Sequence, residues 1–83
     1  MRQLDQELNK KINKHVAKKV RLKRVELDIN SQDVAKYLKM ANANYSRLES
    51  GEFLMKSCYI YKLSKLFKVP PNYFFEGFDE DVE

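Results

Sequence analysis

Cysteine occurs once in these 83 residues, as Cys58, and histidine once, as His15. A lone thiol excludes an internal disulfide and suits a reducing compartment, so a cytoplasmic location is expected. One thiol and one imidazole cannot complete a structural zinc site, and no cofactor is expected. With only two glycines and two prolines, and few β-branched residues, the chain lacks the breaks and the alternation of a sheet protein. No apolar run is long enough to cross a bilayer and the N-terminus has no signal-peptide core, so no membrane partner is expected. Catalysis is not expected either, because His15 has no companion that would make an activated nucleophile. A domain this small lies near the size at which one core is marginal, and a second copy of the chain is the simplest further support.

What the chain does have is segregated charge. The net charge is +4, yet residues 9–24 hold eight basic residues and no acidic one, and residues 69–83 hold five acidic residues and no basic one. A basic half of this kind attracts polyphosphate, membrane headgroups or acidic proteins.

Apolar residues recur at spacings of three and four, which predicts an all-α chain. Leu4, Leu8, Ile12, Val16 and Val20 mark the stripe of a first helix over residues 4–27, with Val16 onward in the core. Residues 1–14 read as a basic N-terminal extension, an arm or a continuation of the helix, with residues 1–10 expected to be loose. Asn30 is placed to cap a second helix from Ser31 to about Lys39, with Val34, Ala35 and Leu38 inward. A turn then leads to a short helix over residues 42–50 that buries Tyr45 and Leu48 and stops at Gly51. Ser57 is expected to cap a fourth helix to Phe67, with Ile60, Leu63 and Phe67 on its inner face. Pro71 suits the first turn of a last helix through Phe75. The expected result is five helices, two of them very short, in one domain over residues 15–78, followed by an acidic tail at 79–83.

Residues 29–51 read I-N-S-Q-D-V-A-K-Y-L-K-M-A-N-A-N-Y-S-R-L-E-S-G. Ala35 is small where two helices would cross, because a larger side chain would force them apart. With Leu38, Met40, Tyr45 and Leu48 at core spacing and the closing L-E-S-G, residues 16–75 resemble the lambda-repressor/Cro-like (XRE) helix-turn-helix domain. The ending K-L-F-K-V-P-P-N-Y-F-F-E-G is similar to that of small family members from alphaproteobacteria. The resemblance implies a five-helix lambda-repressor-like fold and a bacterial or phage origin.

It also implies roles for residues. Arg24 and Glu49 stand where relatives form a partly buried ion pair. Asn42, Ala43, Asn44, Ser46 and Arg47 occupy the outward face of the recognition helix. Their chemistry suits base edges: Asn with adenine, Arg with guanine, an Ala methyl with the thymine methyl. Ser31 stands where the family has Gln at the start of the second helix, and Gln32 can share a phosphate contact there. Ser50 and Lys56 match backbone-contacting positions beyond the recognition helix; Lys18, with Lys14 and Lys19, is a less specific phosphate partner. Lys39 replaces a glycine common in the turn, and Ala41 replaces a Ser or Thr cap, which would let Asn42 cap the helix instead. The aromatics at the end are more than a short helix can bury. Phe74 and Phe75 are assigned to the core, and Tyr73 and Phe78 to a two-fold contact.

The function so implied is a sequence-specific double-stranded DNA-binding transcriptional regulator, a repressor, acting as a homodimer on a near-palindromic operator. A second, ligand-sensing domain is not expected, and with it no small-molecule ligand. Two other readings use the same fold: the antitoxin of a toxin–antitoxin pair, with a small protein toxin as partner, and a restriction–modification controller.

Overall fold

The longest apolar stripe makes the longest element. In the computed structural model, which describes residues 2–78, α1 (Arg2–Glu26) runs unbroken for 25 residues. At 1.5 Å per residue this is about 37 Å, against a molecular long dimension of 38 Å. Residues 2–10 therefore continue the helix, which corrects the expectation of a loose arm; they contain neither glycine nor proline and several strong helix formers. The expected boundary after residue 14 also falls inside α1. Asn13 is already buried there, ahead of Val16, Ala17 and Val20.

The next two helices are set by their ends. Asn30 caps α2 (Ser31–Tyr37), its Oδ1 accepting the Gln32 N–H at 2.7 Å. Two residues earlier than expected, α2 stops, because Lys39 takes a left-handed conformation at φ +60°. The Met40 N–H then donates to the Ala35 carbonyl at 3.0 Å, satisfying a free end of the helix. Ala41 is the N-cap of α3 (Asn42–Ser50) and offers no capping side chain; Gly51, at φ +88°, ends the helix.

Lys56, not Ser57, is the N-cap of α4 (Ser57–Phe67), so the expected serine cap is corrected by one residue; Lys68 ends the helix at φ +59°. The last expected helix is a 3₁₀ helix, Pro71–Phe75. Five residues ahead of Gly77 close with i→i+3 bonds, Tyr73 N–H to the Pro70 carbonyl at 2.9 Å and Glu76 N–H to Tyr73 at 3.2 Å. The architecture is thus all-α with four α-helices rather than five, and the described residues contain no strand.

One core joins these pieces: Val16, Val20, Val34, Ala35, Leu38, Tyr45, Leu48, Leu63, Phe67 and Phe74. Ala35 is fully buried, as its place at a helix crossing requires. Phe74 is also buried, but its neighbour Phe75 is 42% exposed, which corrects its assignment to the core. In a 3₁₀ helix of about three residues per turn, adjacent side chains diverge, so only one of the pair can point inward. No helix among the described residues is long and apolar enough to cross a membrane. The acidic tail at 79–83 lies outside the described residues.

Candidate nucleic-acid interface

Burial of Tyr45 and Leu48 fixes which side of α3 faces out. Residues 42–44, 46 and 47 are all exposed. At 100° per residue, Ala43 and Ser50 lie almost opposite the buried pair, and Ser46 and Arg47 lie about 50° to either side of that direction. Asn42 and Asn44 fall on opposite flanks. Asn42 lines a shallow cleft with Gln32 and Lys36 of α2. Asn44 lines a cleft of about 440 Å³ with Phe53, Lys56 and Tyr59 on the other side. Ala41 occupies the cap, so the Asn42 amide is not taken up in capping.

The helix is clamped to α1 from behind. Arg24 Nε donates to Glu49 Oε2 at 2.6 Å and its Nη2 to Oε1 at 3.2 Å, while Nη1 donates to the Ile29 carbonyl at 2.8 Å. The two side chains are only 16% and 9% exposed. The Tyr45 hydroxyl also donates to Glu49 Oε2. Hydrogen bonding to Glu49 raises the Arg24 pKa further above its usual value. Burial, then the Glu49 bond, pushes the Tyr45 phenol upward, so it stays a protonated donor. A carboxylate with three donors is held in one geometry, and α3 is held with it.

Arg47 is positioned but not locked. Its Nε lies 3.7 Å from Glu52 Oε1, both side chains being more than half exposed, and its guanidinium sits 5.7 Å from the Phe53 ring. Exposed pairs of this kind are worth little, so the guanidinium can exchange Glu52 for another acceptor. Ser50 is less available than expected: its hydroxyl donates to the Arg47 carbonyl at 3.1 Å, and a phosphate contact requires it to turn away. Ser31 and Gln32 are exposed at the start of α2, but the Gln32 N–H is already given to Asn30 and Asp33 stands one residue on. Their side chains, not that amide, are the donors left free at this end of α2.

No family model, curated protein or solved structure matches this chain.

The basic residues of α1 divide by direction. Lys14 packs beside Gly51, where a Cβ would lie 3.2 Å from Lys14 Cγ, and with Lys10 it lines a cleft that includes Glu52. Lys18 is exposed one turn further along α1, and Lys19 is turned the other way, its ammonium 4.2 Å from the Tyr73 ring. Lys14 is therefore the α1 lysine nearest the end of α3. Tyr73 is half-buried under Lys19, and Phe78 packs edge-on against His15 at 5.6 Å. Both aromatics assigned to a two-fold contact are thus used against α1, and Phe75 is the exposed one.

Asn13, sitting in a run of lysines, is a site residue that the sequence reading missed. It is 8% exposed, donates through Nδ2 to the carbonyls of Gly51 (3.2 Å) and Phe53 (2.9 Å), and accepts the Met55 N–H at 2.6 Å. One side chain thereby ties the whole segment between α3 and α4, with Lys56 at its end, to α1. Its position four before Ala17 and three before Val16 on the buried stripe was the available clue. Among the described residues no cluster of His, Cys, Asp and Glu could hold a metal ion.

Proposed function

We propose that this chain is a sequence-specific double-stranded DNA-binding transcriptional regulator, a repressor, that uses α2 and α3 as a helix-turn-helix of the lambda-repressor-like type. The reading is supported most by one observation: α3 presents Ala43, Ser46 and Arg47 outward while Arg24, Tyr45 and Glu49 hold it rigidly from behind. A reading helix needs this combination, since side chains must meet base edges in a defined register. Asn42 and Asn44 widen the contact on either side. Ser31, Gln32, Lys56 and Lys14 would meet the phosphates that flank the groove.

One such helix reaches only a few base pairs, so the active species is a homodimer on two half-sites about one helical turn apart. Fluorescence anisotropy on a labelled mixed-sequence duplex provides the first test. Binding should weaken steeply with salt, with a log–log slope of about −4 for a dimer in which Lys14 and Lys56 of each copy neutralise about four phosphates. Absence of binding at low salt would refute the proposal.

A further inference from the structure

The middle of α1 and the loop after α3 leave an apolar surface that the monomer does not cover. Leu54 is 67% exposed, the most of any large apolar side chain among the described residues, and Phe75 is 42% exposed. Between them lies a cleft of about 330 Å³ lined by Ile12, Val16, Met55 and Ile60. Leu54 forms one wall of this cleft, so an apolar knob and an apolar hollow lie side by side on one surface. Its loop is not loose: Asn13 binds both Phe53 and Met55, the residues on either side of Leu54. The knob is held out into solvent by a buried asparagine, although turning it inward would remove its apolar surface from water.

We infer that this surface binds a second copy of the same chain, the Leu54 of each copy entering the cleft beside the other's Leu54. A two-fold axis requires one patch to be complementary to itself, and a knob next to its own hollow meets that requirement without a further partner. The charges agree. Glu52 and Lys56 flank Leu54 at two residues on either side, both exposed. Two such segments crossing antiparallel at Leu54 set Glu52 of one copy opposite Lys56 of the other, twice. A lysine ammonium has three donors, so this pairing leaves Lys56 able to meet a phosphate as well.

The inference rests on the homodimer proposed above and replaces Tyr73 and Phe78 as its contact. Its test uses the full chain without DNA, so a failure to bind DNA and a failure of this surface are seen separately. Sedimentation equilibrium of the wild type up to about 0.5 mM should show a dimer. Leu54→Glu should weaken it by about thirtyfold or more, the effect of losing a central anchor. Leu22→Glu, on the other exposed apolar patch with Val25, should leave it unchanged. Both substitutions are at exposed positions, and unchanged helical circular dichroism checks the fold. A wild type that remains monomeric, or a dimer that Leu54→Glu leaves intact, would overturn the inference.

Discussion

Arg24 uses three of its donors at once, two on Glu49 and one on the Ile29 carbonyl. Removing it leaves a carboxylate that is 9% exposed with no cation beside it. Arg24→Ala should therefore cost about 3 kcal/mol, while Lys23→Ala, whose partner Glu26 is exposed, should cost under about 1 kcal/mol. Urea midpoints of the two variants check this, and equal midpoints would mean that the pair contributes nothing. For Arg47 the expected loss is in recognition rather than stability. Arg47→Ala should weaken the preferred duplex by about 1–3 kcal/mol and relax preference at one base pair. Titration against duplexes varied at single positions measures it; an unchanged base preference would remove Arg47 from the reading face. The positions of Arg24 and Glu49 were legible in the sequence through a resemblance, and the exposed face of α3 through period alone. Asn13 was not legible, because a polar residue among lysines signals solvent unless its backbone partners, some 40 residues away, are known.

At the scale of elements, helix existence followed from apolar spacing, and helix ends followed only where a residue's conformational preference is strong. Asn30 and Gly51 are such residues, and both ends lie where expected. The end of α2 and the start of α4 are set by lysines, which have no such preference, and each was displaced by one or two residues. The same contrast gives a pair of opposite outcomes. Gly51→Ala forces a Cβ onto a residue at φ +88° and to 3.2 Å from Lys14 Cγ, so it should lower the melting temperature by about 4–8 °C, corresponding to about 1 kcal/mol. Lys39→Gly relieves a left-handed side chain at φ +60° but loosens the unfolded chain, and should raise stability by less than about 1 kcal/mol. Calorimetry on the two variants reads both signs, and a stabilising Gly51→Ala would contradict the assigned turn. The last helix lies where Pro71 placed it, and only its 3₁₀ type escaped the sequence reading, because five residues are too few to display a period.

For the whole molecule, the all-α class and a single core followed from composition and spacing. What lay on the surface did not, since Phe74 and Phe75 look alike in a sequence and only packing separates them. The central claim is that α3 reads base pairs in duplex DNA from a two-fold pair of copies. Recovery of bound sites from a random duplex pool over several rounds, followed by sequencing, tests it most directly. The account predicts an enriched near-palindrome with half-sites centred about 10 base pairs apart, and loss of one conserved position in each half when Arg47→Ala is used. A pool that stays random after selection, or enrichment unaffected by Arg47→Ala, would contradict it.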